Sequence, residues 1–250
     1  MNRTMRQEAK AVRRLKPEEQ ERFQQAEIGD LVRVSIKRTA IQVRKGTPDM
    51  EVAMSCLTGE FETVQHLLPR DYNGIILDAG GYIGTAALAL SRIFPSARNI
   101  TIEPSKENFS LLSKNVASNP KIEPVFGALV GGDEKKITLL NRGSGEWGFT
   151  AVQIPNDNPK SKKMHETPAF RLADLVDDVS EIGLIKIDIE GAEKDLMEKD
   201  AATLGMIPNI FIELHDQIAP GCGSAFMEFS KSRIIVKSGG EKYLSITRKL

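Results

Sequence analysis

The alternation of apolar and polar positions is clearest from residue 75 onward. Residues 75–90, IILDAGGYIGTAALAL, open with a continuous apolar run that ends at Asp78. Gly80, Gly81 and Gly84 follow, then an Ala/Leu-rich segment. That order predicts a buried strand over about 75–79, a tight glycine turn and a helix over about 83–94. The rhythm continues with a strand at 99–103 closed by Pro104, a helix at about 106–118 and a strand at about 122–130. Strand–helix–strand repeats of this kind predict a parallel sheet with right-handed crossovers. Further on, GLIKID (183–188) and NIFIEL (209–214) read as strands, with helices at about 192–200 and 223–231. Two alternating segments flank residues 238–240, a hairpin signal that puts one antiparallel strand near the sheet edge. The fold class is α/β, doubly wound and mostly parallel, and no internal repeat is visible.

The N-terminal part is patterned differently. Residues 1–28 are highly charged, and their apolar stripe (Met5, Ala9, Val12, Leu15, Phe23) is thin. It reads as one or two surface helices broken at Lys16–Pro17, forming a solvated arm packed loosely on the domain. A dimerisation arm or a substrate lid is the alternative. Residues 31–45 alternate apolar and basic positions, which predicts one or two short strands. A turn at 46–48 and helical patches at about 50–56 and 60–68 follow, with Asp49 able to cap the first. Residues 131–170 are less regular, with an extra strand at 135–142 and an exposed polar loop at 156–163.

Composition narrows the function classes. Of the 250 residues, 40% are hydrophobic, enough for a core, and 27% are charged with a formal net charge of zero. That balance argues against a general binder of nucleic acid or anionic membranes. The two cysteines, Cys56 and Cys222, lack CxxC spacing, so neither a disulfide framework nor a cysteine metal site is expected. Cys56 reads as a small core residue. A reduced, cytoplasmic setting fits this cysteine usage. The first residues show no apolar secretory segment, and no apolar run reaches membrane-spanning length.

Candidate chemistry falls at the ends of the predicted strands. Asp78-Ala-Gly80-Gly81-Tyr-Ile-Gly84 departs from a dinucleotide fingerprint, because Tyr82 stands where its second glycine would be. Asp78 at the strand end suits a ligand carrying an ammonium group better than a pyrophosphate. Glu103 ends the next strand, 19 residues after Gly84, where a carboxylate can accept both hydroxyls of a ribose. In Lys186-Ile-Asp188-Ile-Glu190-Gly-Ala-Glu193, alternation puts Lys186 and Asp188 on one face, with Asp188 at the functional edge of the sheet. Glu193 reads as a partner of the helix dipole, and Glu190 as facing the cleft. Glu213 and His215 share a face at the end of the next strand, which makes His215 a candidate general base. Asp188, Glu190 and His215 could together hold a divalent metal, although no metal is the primary expectation. Trp147 could flank a pocket or anchor a loop. His66 and His165 have no visible partner.

The order DAGGYIG, TIEPS, KIDIEGAE, IFIELH resembles the FkbM-type S-adenosylmethionine-dependent methyltransferases, over roughly residues 45–217. KIDIEGAE is the most specific part, and the upstream KGTPDMEV looks like that family's lead-in. The resemblance implies the Rossmann-like class I methyltransferase fold: seven strands, helices on both faces, the last strand antiparallel. It divides the chain into an N-terminal helical and strand extension (1–70) and a cofactor-binding domain (71–250). It implies that Asp78, Gly80, Gly81 and Gly84 hold the methionine part of S-adenosylmethionine, that Glu103 takes the ribose hydroxyls and that Ala128 lies beside the adenine. Asp188 would border the methyl-transfer site, and Asp188 or His215 would act as base. The family turn often reads GAxxG, so Gly81 is expected to loosen the turn. The implied reaction is O-methylation of a hydroxyl on a small molecule, sugar or natural-product intermediate. A homo-oligomer formed through the extension is a further expectation. An NAD-dependent oxidoreductase and a non-catalytic binding module are the competing readings.

Overall fold

Strands buried on both faces read as continuous apolar runs, and that is how the central strands of this sheet form. The computed structural model describes residues 3–141, 149–150 and 162–248. Trp147 and the 156–161 part of the expected polar loop lie outside the described residues. The N-terminal part contains α1 (Arg3–Val12), α2 (Pro17–Gln25), the hairpin strands β1 (Leu31–Ile36) and β2 (Thr39–Arg44), and α3 (Asp49–Ser55). A π-helical turn, Cys56–Glu60, and a 3-10 turn, Glu62–His66, lead on from α3. Then come β3 (Ile75–Ala79), α4 (Thr85–Ile93), β4 (Arg98–Glu103), α5 (Lys106–Val116) and β5 (Ile122–Phe126). A second group of strands follows: β6 (Ala128–Leu129), β7 (Lys136–Asn141), β8 (Phe149–Thr150) and β9 (Lys162–Phe170). After α6 (Leu172–Leu175) come β10 (Ile182–Ile187), α7 (Glu193–Lys199), α8 (Ala201–Gly205), β11 (Asn209–Glu213), α9 (Cys222–Phe229), β12 (Arg233–Gly239) and β13 (Lys242–Thr247).

The main sheet has seven strands in the order β12-β13-β11-β10-β3-β4-β5. β5, β4, β3, β10 and β11 run parallel, and β13 is antiparallel to both neighbours. The expected doubly wound sheet with a terminal hairpin is therefore present. Past a register shift between Ile182 and Leu184, even-numbered positions of β3 and β10 face one apolar layer, in which Ile76 and Leu184 pack with Phe211, Ile83, Leu90 and Phe61. Odd-numbered positions face the other layer, in which Leu77, Ile185, Ile187 and Ile212 pack with Leu196, Leu204 and Phe226. Sequential strands switch from one side of β3 to the other between β5 and β10, so the crevice at the strands' carboxyl ends opens between β3 and β10.

Three differences from the sequence reading have simple physical causes. The segment 3–25 is not a loose arm. Ala11, Val12, Leu15 and Phe23 are buried in the same apolar layer as the sheet residues, and the Glu8 carboxylate accepts the Gly46 N–H at 2.6 Å. The expected strand over 122–130 breaks at Gly127, where a Cβ would stand 2.5 Å from the Phe170 ring. Beyond it, β6 leaves the main sheet to pair with β9, which pairs in turn with β7. Asp49 does not cap α3: Pro48 occupies the cap position, and the Asp49 carboxylate accepts instead from Arg44 at 2.8 Å and from the Tyr82 hydroxyl.

Candidate active site

A cavity of about 840 Å3 opens at the carboxyl ends of the central strands. Its lining includes Gly80, Glu103 and Ala128 on one side and Asp188, Glu213 and His215 on the other. That volume is near the upper end of the roughly 300–1,000 Å3 typical of small-ligand pockets.

The turn between β3 and α4 is built by close backbone approach. Gly80 has φ +83°, and a Cβ there would meet the Asp188 carbonyl oxygen at 1.8 Å. Gly84 has φ +89° and starts α4. Tyr82 also lies in the left-handed region, at φ +51°. Two bonds hold it there: its N–H donates to Glu103 Oε2 at 2.8 Å, and its hydroxyl donates to Asp49. Gly81 does not loosen the turn. A Cβ there would stand 2.4 Å from Thr101 Oγ1 and 2.7 Å from Leu112 Cδ1, so the missing side chain lets α5 and β4 close on the turn. Gly81→Ala is expected to cost about 1–3 kcal/mol, as overpacking does. A Gly81→Ala variant as stable to urea as the parent would show that this contact relaxes freely.

Asp78 lies beneath the turn, fully buried, and does not line the cavity. Adjacent strands in register place Thr101, Asp78 and Lys186 in one row across β4, β3 and β10. Thr101 Oγ1 donates to Asp78 Oδ2 at 2.8 Å, and Lys186 Nζ lies 3.2 Å from Asp78 Oδ1. The ammonium beside Asp78 is thus the chain's own. Lys186 also donates to the carbonyls of Gly80 (2.6 Å) and Ala79 (3.3 Å), and pairs with Asp188 at 3.4 Å. Burial opposes its charge, but Asp78 and Asp188 outweigh that and raise its pKa. Burial likewise opposes ionisation of Asp188, yet Lys186 and His215 hold its carboxyl below the usual range.

Glu103 ends β4 and lines the cavity. Its carboxylate accepts from Tyr82 N–H, from Ser105 N–H at 2.9 Å and, at 3.5 Å, from Asn108 Nδ2. Burial pushes its pKa up to about 7 against those donors and Lys186. Ala128 is buried at the start of β6, beside the cavity.

The opposite wall gathers charge around His215, which is 5% exposed. Its Nδ1 lies 2.8 Å from Glu193 Oε1. Glu193, expected to serve the helix dipole, is fully buried and also accepts the N–H groups of Ile189 (3.0 Å) and Gly191 (2.9 Å). The loop after β10 and the His215 ring are therefore fixed by one carboxylate. His215 Nε2 lies 3.7 Å from Glu190 Oε1 and 3.8 Å from Asp188 Oδ1. Burial disfavours the charged ring, but Glu193, Glu190 and Asp188 push its pKa up to about 10. In the ligand-free chain the ring is charged at neutral pH and has no lone pair with which to accept a proton. Glu190 is pushed up to about 8, chiefly by burial, against the attraction of His215. Among the described residues, the groups whose ligand atoms lie within 4.8 Å of one another are Asp188, Glu213 and His215, so Glu213 stands where sequence reading had Glu190.

Sequence reasoning did not find Tyr82, Asn108, Asp49, Glu60 or Lys242. Tyr82 and Asp49 had signals, in the glycine turn and in the KGTPDMEV lead-in. Lys242 pairs with Glu60 at 2.6 Å and with Glu213 at 3.4 Å, joining the N-terminal part to the last hairpin. His165 lies 3.1 Å from the carbonyl of Pro104, a cavity-lining residue, and beside Phe126, without lining the cavity itself.

A seven-stranded sheet with one reversed strand, and a crevice floored by a glycine turn, define the class I methyltransferase fold. Residues 78–241 match the family described as the Methyltransferase FkbM domain, and the chain belongs to that family. It is an S-adenosylmethionine-dependent methyltransferase. "Methyltransferase 1" of Beauveria bassiana (strain ARSEF 2860) is 26% identical over 171 residues, covering 59% of this chain and 67% of that protein. "Methyltransferase sdnD" of Sordaria araneosa is 24% identical over 171 residues, covering 56% of this chain and 66% of that protein. The chain thus spans about two thirds of the length of the curated relatives it matches. A putative caffeoyl-CoA O-methyltransferase structure from Staphylococcus aureus is similar at 12% identity and a TM-score of 0.47, over 75% of this chain and 82% of that chain. Among the described residues no helix is long and apolar enough to cross a membrane.

Proposed function

We propose that the chain methylates a hydroxyl oxygen of a small molecule or sugar. The observation that carries this reading is one cavity with two unlike walls: Gly80, Glu103 and Ala128 on one side, and the Asp188–Glu190–Glu213–His215 cluster on the other. S-adenosylmethionine supplies an activated methyl group on a sulfonium. The first wall fits its neutral parts, with Glu103 accepting ribose hydroxyls, Ala128 beside the adenine, and Gly80 allowing the methionine part close to the backbone. Asp78 acts there through Lys186, which pins the turn. The second wall faces the space left for the acceptor, and its carboxylates suit a neighbouring positive charge. The acceptor oxygen forms a bond to the methyl carbon as the carbon–sulfur bond breaks, its electron pair staying on sulfur. The hydroxyl proton leaves to the acidic cluster. Labelled S-adenosylmethionine with a panel of hydroxylated acceptors, sugars included, tests the reading. The expected product is a methyl ether, and methylation of only nitrogen or carbon acceptors would sink it.

Glu103 gives this reading a pH signature. A ribose hydroxyl donates to an ionised carboxylate, and about half of Glu103 is protonated near pH 7 before cofactor binds. Binding therefore releases a proton below that pH. S-adenosylhomocysteine affinity is expected to fall about tenfold between pH 8 and pH 6 by linkage. Glu103→Gln should flatten that dependence and weaken binding at pH 8 by about 10–100-fold, the worth of a hydrogen bond to a charged group. Calorimetry at the two pH values checks both. A wild-type affinity independent of pH would remove Glu103 from the ribose.

A further inference from the structure

We propose that Asp188, Glu213 and His215 form a binding site for a divalent cation of the Mn2+ type at the acceptor wall of the cavity. His215 carries the first part of the argument. Glu193 holds Nδ1 at 2.8 Å and is itself locked by two backbone N–H groups, so the ring is set before any ligand arrives. Metal-binding histidines are oriented in this way, with the second nitrogen on a carboxylate. The other nitrogen, Nε2, belongs to a side chain more than nine-tenths buried, and among the described residues it makes no hydrogen bond. Its neighbours are carboxylate oxygens at 3.7 and 3.8 Å. Those separations are too long for hydrogen bonds. The Asp188 separation, 3.8 Å, matches two ligand atoms around one ion, since ligands each about 2.2 Å from a metal lie roughly 3.0–3.8 Å apart, and one ligand atom each from Asp188, Glu213 and His215 lie within 4.8 Å of one another.

Charge supplies the second part. Asp78, Asp188, Glu190, Glu193, Glu213 and Glu60 surround His215 and two ammonium groups, Lys186 and Lys242. Each lysine takes one oxygen of a candidate ligand. Lys186 lies against Asp188 Oδ2, leaving Oδ1 toward His215, and Lys242 lies against Glu213 Oε2. Acid remains in excess, and a divalent cation is the group that neutralises it. Two carboxylates and an imidazole suit a borderline divalent metal. Three protein ligands leave coordination positions open to the cavity, where water or an acceptor hydroxyl would sit. That use of the ion rests on the proposed O-methylation, whereas the site itself rests on the ligand geometry.

The test is a Mn2+ titration of the chelator-stripped full chain, without cofactor or acceptor, followed by electron paramagnetic resonance. One Mn2+ per chain is expected at micromolar concentration, with pulsed spectra showing imidazole nitrogen coupling. Glu213→Gln and His215→Ala should each weaken binding at least about tenfold, and Glu193→Gln about 10–100-fold through loss of ring orientation. The nitrogen coupling is read on the unmodified protein, so the test survives unstable variants. No binding below millimolar Mn2+, or bound Mn2+ without nitrogen coupling, would overturn the site. S-adenosylhomocysteine calorimetry on the same stripped sample separates the readings. Binding of that nucleoside without Mn2+ binding refutes the cation site alone, and Mn2+ binding without nucleoside binding upholds the site and refutes the cofactor assignment of the cavity.

Discussion

Replacing His215 by alanine is expected to lower turnover by about 10²–10⁴-fold, the range for disabling proton transfer at the reacting atom, because the charged ring holds the Asp188 and Glu190 carboxylates that take the hydroxyl proton. S-adenosylhomocysteine affinity should stay within about threefold. The two effects separate because the ring lies at the end of β11, among Asp188, Glu190 and Glu193, whereas Glu103 and Ala128 lie across β3 from it. Alanine also strips the buried Glu193 of its imidazole partner, which adds instability unrelated to chemistry. His215→Asn addresses that, because its amide N–H can take the place of Nδ1 against Glu193 while nothing replaces Nε2. Both variants should lose turnover alike, and the asparagine variant should melt closer to the parent. Single-turnover transfer from labelled S-adenosylmethionine and calorimetry with S-adenosylhomocysteine measure the two quantities. Unchanged turnover in the asparagine variant would remove Nε2 from the reaction.

The parts of this fold that could be read from sequence are those whose burial is one-dimensional. β3 and β10 are apolar along almost their whole length, β11 has an apolar centre and β4 alternates around Ile100 and Ile102, so these strands stand out whatever surrounds them, and the polar residues at their carboxyl ends stand out with them. Asp188, Glu103 and His215 were legible for that reason. β9 was not, because KKMHETPAF has no clean alternation and contains Pro168, and its pairing with β6 and β7 is set by tertiary contact. The packing of α1 and α2 was underestimated because their thin apolar stripe lies against residues from several other elements. Roles within the site were harder than positions. Sequence shows that Asp78 ends a strand, but only strand register shows that Lys186 stands beside it. Spacing suggests that Glu193 meets a helix terminus, but only the fold shows that it orients a histidine 22 residues away.

Lys186→Met tests whether that register row holds the floor of the site. The ammonium is almost fully buried and touches the Asp78 and Asp188 carboxylates and the Gly80 and Ala79 carbonyls. Methionine fills similar space but leaves Asp78 buried with Thr101 as its remaining hydrogen-bond donor. Removing one member of a buried ion pair costs about 3–5 kcal/mol, because the partner's charge is left without compensation. In a domain of this size that corresponds to a fall in melting temperature of roughly 10 °C. The cost should sit in Asp78 rather than in lost packing, so Lys186→Met combined with Asp78→Asn should recover part of it. A double variant no more stable than Lys186→Met alone would show that the charge of Asp78 is not what Lys186 compensates. The lysine would then act mainly through the turn carbonyls. The ion-pair account also predicts that Lys186→Met and the double variant both bind cofactor more weakly than the parent, because neutral side chains can rebuild the packing beneath Gly80 but not the ammonium that draws the turn and the end of β10 together.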